Sequence, residues 1–108
     1  MTERLYAAEP VIAFGSPLQE LWAERLVEAS VDTSVGLSAR ATLRFRDPGH
    51  RLLAAARISV GAPLTVAVAA ARRRTRAVIF DGEVTALETE VDADGTFTTV
   101  RATDRGTG

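Results

Sequence analysis

Residues 39–49, which read Ala-Arg-Ala-Thr-Leu-Arg-Phe-Arg-Asp-Pro-Gly, decide the fold class of this chain of 108 residues. Apolar and polar residues alternate along them, and a period of two is typical of a β-strand with one buried face. The pattern predicts a strand that packs Leu43 and Phe45 into a core. Asp47-Pro48-Gly49 predicts the turn that ends it. The opposite face of this strand would carry Arg40, Thr42, Arg44 and Arg46.

The residues before this strand predict two more strands and a short helix. Residues 11–14 form an apolar run that ends at a glycine, which indicates a strand followed by a turn. Ser16 and Gln19 match a capping box, so a helix of one or two turns is expected to start there and to carry Trp22. Residues 27–32 alternate again, which predicts a strand whose apolar face carries Val27, Ala29 and Val31.

The residues after it predict a helical turn and three strands. The helical turn is expected within residues 50–57. The strands are expected at residues 64–68, 77–90 and 97–103, with Gly82 marking a bulge or bend in the second strand and residues 92–95 forming a hairpin turn. About six strands without a strand–helix alternation predict a mainly β fold: one domain, residues 1–108, an antiparallel β-barrel with one or two short helices.

Composition excludes several classes of function. Apolar residues make up 46% and charged residues 25%, as in globular proteins that fold. Thirteen arginines against fourteen acids give no overall attraction to nucleic acid or anionic lipid. The absence of cysteine excludes disulfides, thiolate metal sites and a cysteine nucleophile. With no signal pattern at residues 1–4 and no long apolar stretch, we expect cytoplasmic assembly and no membrane insertion.

No pattern predicts catalysis, a cofactor or a metal. His50 is the one histidine and follows a Pro-Gly turn, so a solvated turn residue is the simpler interpretation. Asp92 and Asp94 resemble the start of a calcium loop but lack its later ligands, and a hairpin explains them. Three glutamates are expected on the wet face of a strand, without a pocket that would make an acid–base pair: Glu83, Glu88 and Glu90. The sequence therefore predicts a protein that is not an enzyme.

Arginines are the candidates for binding. The run Arg72, Arg73, Arg74 and Arg76 places four guanidinium groups on one loop, which could bind phosphate or an acidic protein surface, or form a solvated hairpin tip. Nucleic acid is disfavoured because six aromatic residues in the whole chain offer few bases a stacking surface. We hypothesise that the loop docks on an adjacent subunit. Arg40, Arg44 and Arg46 are further candidates for the subunit interface.

The order of several motifs is similar to that of a known family. Residues 43–48 and 58–66 are followed by Phe-Asp-Gly-Glu-Val-Thr-Ala-Leu-Glu at residues 80–88, then by Ala-Asp-Gly at 93–95 and Asp-Arg at 104–105. From about Pro10 to Arg105 the chain resembles the start of the VgrG and phage late control protein D family, the hub and spike proteins of contractile injection systems.

The resemblance implies a tail-tube-like hub barrel in a homotrimer that joins the hexameric inner tube to the spike and baseplate of a phage-tail-like particle. Its partners would be its own copies, the inner tube protein, and baseplate and spike-tip proteins, with a mechanical role. Family members continue past the Asp-Arg signature, so this chain is expected to be a fragment of a longer hub/spike protein. The alternative is a stand-alone small β-barrel that binds nucleic acid or an acidic ligand.

Overall fold

A computed structural model describes residues 2–6, 10–34, 38–70 and 75–104. Seven strands and two helices of one turn each lie within these residues. The strands are β1 Thr2–Tyr6, β2 Val11–Ala13, β3 Leu26–Ser34, β4 Arg40–Arg46, β5 Pro63–Ala70, β6 Thr75–Asp92 and β7 Gly95–Asp104, and the helices are α1 Glu20–Ala23 and α2 Leu52–Ala55. The predicted mainly β class with two short helices is confirmed, although β1 was not predicted.

All strands form one antiparallel sheet in the order β1-β3-β4-β7-β6-β5-β2, curled into a half-barrel. The chain itself requires the curl. A flat sheet would separate its edge strands by six spacings of about 4.8 Å, or roughly 29 Å. Yet Tyr6 at the end of β1 and Val11 at the start of β2 are five residues apart, a reach of at most about 18 Å. The two edges must therefore approach each other.

The hairpin predicted around residues 92–95 is present, and its first strand, β6, also pairs with β5. The first half of β6 pairs with β5 and its second half with β7. The register shifts twice along β6, which leaves Ile79 and Thr85 as extra, bulged residues. Gly82, predicted to mark the irregularity, instead lies between the bulges at a point of close approach. A Cβ there would stand 2.2 Å from the Thr103 carbonyl oxygen, so only glycine fits.

Another bulge overturns one detail of the predicted pattern. Leu26 pairs with Phe45 and Glu28 with Arg44, which leaves Val27 as an extra residue in β3. Val27 is therefore exposed, whereas the alternation had placed it on the apolar face. Ala29 and Val31 are buried as predicted.

The concave side of the sheet holds the core, to which both helices contribute. Leu43 and Phe45 are fully buried there, as predicted, together with Trp22 of α1 and Leu52 of α2. Other members come from every strand whose side chains are described: Ile12, Ala29, Val31, Ala41, Leu64, Val66, Phe80, Val84, Val100 and Ala102. The half-barrel is thus filled by side chains rather than left hollow.

The predicted capping box of α1 is wrong. The helix begins at Glu20 with Gln19 as its N-cap, and no side chain caps it. The reason lies in the backbone before it: Ala13 bridges Pro17, and the Leu18 N–H donates to the Ile12 carbonyl at 2.9 Å. This pairing keeps the chain out of a helical conformation through Pro17 and delays the start of the helix.

The end of α2 has an unusual residue for its geometry. The Ile58 N–H donates to the Leu53 carbonyl at 2.8 Å and the Arg57 N–H to the Ala54 carbonyl at 3.4 Å, the pattern of a Schellman motif. Its left-handed position normally holds glycine, but here Arg57 occupies it with φ 56°. An arginine at this position therefore strains the backbone, which a glycine would not.

Candidate functional site

The convex side of the sheet, called here the outer face, carries the strand arginines that the sequence singled out. Along β4 the burial alternates, with the apolar residues inside and Arg40, Arg44 and Arg46 outside, as predicted. Cross-strand pairing aligns these arginines with residues of β7: Arg40 with Thr103, Arg44 with Thr99, Arg46 with Phe97. Acidic residues of β6 lie one strand further on, in the same rows: Glu83, Glu88 and Glu90.

Arg44 is the most strongly held of these arginines. Its Nη2 lies 3.0 Å from Glu90 Oε1 and 3.6 Å from Asp92 Oδ2. Its guanidinium carbon lies 4.1 Å from the centroid of the Phe97 ring, and Arg46 lies over the same ring at 5.7 Å. The two arginines therefore cover Phe97, which is only 4% exposed although it lies on the outer face.

A second ion pair continues the pattern along β7. Arg101 Nε lies 3.2 Å from Glu88 Oε1, and Arg101 Nη2 lies 3.4 Å from Glu88 Oε2. Both side chains are more than half exposed, so the pair contributes little to stability. Together with Arg44 and Glu90, it makes the outer face a mosaic of alternating charges. Such a mosaic suits a protein partner of mixed charge better than a polyanion.

The remaining arginine candidates are only partly brought together. Arg40 and Arg46 are exposed at the two ends of β4, so both can contact a partner. Arg72, Arg73 and Arg74 lie outside the described residues, and the loop hypothesis stays a prediction. Arg76 belongs to β6, where its backbone pairs with Ala69, but its side chain is outside the described part.

The acidic and histidine candidates occupy the positions that the simpler interpretations predicted. His50 is exposed in the turn after β4. The Asp94 N–H donates to Asp92 Oδ1 at 2.7 Å, and Gly95 takes the positive φ of the hairpin turn. The hairpin interpretation is confirmed. Within the residues that the structure describes, no group of three or more histidine, aspartate or glutamate side chains could hold a metal ion.

Asp47 is an important polar residue that the sequence pattern did not single out. It is fully buried, and its Oδ1 accepts the backbone N–H groups of Arg51 at 2.8 Å and Leu52 at 3.0 Å. Its Oδ2 accepts the hydroxyl of Thr98 at 2.6 Å. The carboxylate therefore joins the start of α2 to β7. Extending the β4 alternation by one residue would have revealed it, because position 47 falls on the core side, where an acid needs partners.

Comparisons with known proteins add no family to this picture. No protein-family model matches the sequence, and no curated protein is detectably similar to it. Among the described residues, no helix has the length and apolar character needed to cross a membrane.

Proposed function

We propose that this chain is a structural domain of a contractile injection particle, a hub-type barrel that is gripped by copies of itself and by tube and baseplate subunits. The proposal starts from an order of motifs that resembles that of the VgrG and phage late control protein D family. The observation that carries it further is an antiparallel half-barrel whose edge strand β1 has one side without a partner strand among the described residues. It assigns the chain no catalytic step.

The open edge at β1 supports a role in assembly. Among the described residues, β1 pairs only with β3, so one of its sides has no partner strand. The other edge strand, β2, pairs with β5 and is also contacted by Pro17 and Leu18, through the Ala13–Pro17 bridge and the Leu18 N–H bond to the Ile12 carbonyl. Unpaired N–H and C=O groups at a sheet edge are ready to pair with another chain. A domain that works inside a larger assembly can have the β1 edge covered by a neighbouring subunit.

The outer face favours a protein partner over nucleic acid. Phe97 lies beneath Arg44 and Arg46 and is not available for base stacking. Arg44 and Arg101 are already paired with acids of β6, which lowers the net positive field on this face. Arg40 and Arg46 remain exposed at its two ends and are the residues that we assign to a subunit contact.

Co-expression tests the proposal directly. The chain, with a tag and in its natural sequence context, is produced together with the inner tube and baseplate proteins of the same particle. We expect a stable complex of defined stoichiometry in size-exclusion chromatography with light scattering. Arg40→Ser and Arg46→Ser should each weaken it by about three- to tenfold, because charged contacts at an interface rim contribute modestly. Arg51→Ser removes an exposed arginine away from the outer face and serves as the matched control.

Other outcomes would favour other functions. Binding of the chain to single-stranded DNA that falls steeply between about 50 and 200 mM salt, without any complex with tube or baseplate proteins, would establish the nucleic-acid module instead. Replacing Arg72, Arg73, Arg74 and Arg76 together by serine tests the loop. Unchanged particle assembly in that variant would show that the loop does not dock on a neighbour.

A further inference from the structure

A cavity of about 260 Å³ opens beside the two short helices, and none of the outer-face arginines lines it. One wall is formed by residues 14–22 and the other by the end of α2. Phe14, Leu18 and Trp22 contribute apolar surface. The cavity is smaller than the roughly 300–1,000 Å³ typical of sites for drug-sized ligands, so it suits a single large side chain better than a cofactor.

The polar lining of this cavity is cationic. Among the described residues, Arg57 is the one charged residue that lines it, and Ser16 and Gln19 supply neutral polar groups. No ion pair or hydrogen bond of the Arg57 side chain is found within the described residues, and the side chain is exposed. The cavity is therefore lined by both apolar and polar residues, one of them an arginine that has no carboxylate partner in the described part of the chain.

The backbone at Arg57 adds an independent observation. Its φ of 56° is the left-handed conformation that glycine adopts without strain. His50, in the turn after β4, shares this conformation with a φ of 53°, so the bearing of Arg57 on function comes from its position beside the cavity rather than from the strain alone.

From this geometry we infer that the cavity binds the C-terminal residue of a partner polypeptide, with its apolar side chain among Phe14, Leu18 and Trp22 and its carboxylate on Arg57. A C-terminal residue carries side chain and carboxylate on the same Cα, which matches a small cavity lined by apolar residues and an arginine. Arg–carboxylate pairs are the strong, directional form of such recognition. The inference goes beyond the proposed function, since it holds for any partner with an apolar C-terminal residue.

The intrinsic fluorescence of the chain can be used to test binding in the cavity. Trp22 is the one tryptophan and lines the cavity, so changes in tryptophan fluorescence report on this site. The probe is N-acetyl-L-phenylalanine, compared with N-acetyl-L-phenylalaninamide, which lacks the charge. We expect saturable binding of the acid in the millimolar range and about tenfold weaker binding of the amide, the loss typical of one partly exposed charge-assisted contact.

Two variants separate binding from folding. Arg57→Gly removes the cation and relieves the backbone strain, so it should keep the fold and abolish the preference for the acid. Ala55→Phe should fill the cavity from the exposed face of α2 and remove binding of both probes. Urea unfolding of each variant shows that the fold persists.

Four results would overturn the inference, and three of them come from the first two probes: equal binding of acid and amide, an acid preference that survives Arg57→Gly, or no saturable signal with either probe. N-acetyl-aspartyl-phenylalaninamide keeps the ring but carries the carboxylate on a side chain. If it binds as tightly as the acid, the assignment to a chain terminus is wrong. Failure of the tube and baseplate complex would leave this titration unaffected, so the two proposals fail separately.

Discussion

Replacing Asp47 by alanine should lower the free energy of unfolding by about 3–4 kcal/mol. The substitution removes acceptors for three hydrogen bonds, two to backbone N–H groups at the start of α2 and one to Thr98. The Leu52 N–H and the fully buried Thr98 hydroxyl would lose their partners, at about 1–3 kcal/mol for each buried donor. For a domain of this size the loss corresponds to a fall in Tm of roughly 12 °C or more.

Asp47→Asn is the matched control, since its amide oxygen can accept the same two N–H groups while its NH₂ donates to Thr98. We expect it to cost about 1 kcal/mol. The assay is urea denaturation followed by the fluorescence of Trp22, which is 4% exposed in the folded chain, with circular dichroism as a second probe. An alanine variant within about 1 kcal/mol of the natural chain would refute the reasoning. An asparagine variant as unstable as alanine would show that charge, rather than bonding, is what the site requires.

Three further substitutions test other parts of the fold. Arg57→Gly should raise the free energy of unfolding by about 1 kcal/mol, because glycine takes the left-handed conformation without strain; a lower denaturation midpoint would contradict this. Gly82→Ala should destabilise by at least about 2–3 kcal/mol, since its Cβ would meet the backbone of Thr103 and Asp104, whereas Glu83→Ala next to it should change the midpoint little. Arg44→Lys keeps the charge but loses the flat stacking on Phe97, so thermal unfolding should show a loss of about 1 kcal/mol that 1 M salt does not remove.

The alternation of apolar and polar residues predicted most of the sheet, because successive side chains of a strand point to opposite faces and here one face is buried. The period placed Leu43 and Phe45 inside and Arg44 outside, and turn residues located the hairpin at residues 92–95. The alternation does not reveal β-bulges. One inserted residue moves the side chains before it to the opposite face from the one that a regular strand predicts. That is why Val27 was assigned to the wrong face.

The candidate site was predictable in its residues but not in its contacts. The pattern located Arg40, Arg44 and Arg46 on one face, yet the pairing of Arg44 with Glu90 depends on strand order, which a single sequence does not reveal. The cavity at Trp22 could not be predicted from the sequence for the same reason. It joins two segments about 35 residues apart that come together only when the sheet curls.

The link between β1 and β2 has a mechanical consequence. Residues 7–10 connect β1 and β2, the two edge strands of the sheet. The curled sheet therefore cannot flatten under mechanical load until one of these strands detaches from its neighbour. β2 forms three residue pairs with β5, and β1 forms five with β3, so β2 is the strand expected to detach first. The resistance of the half-barrel to a force that separates its two edges thus depends on the short strand β2.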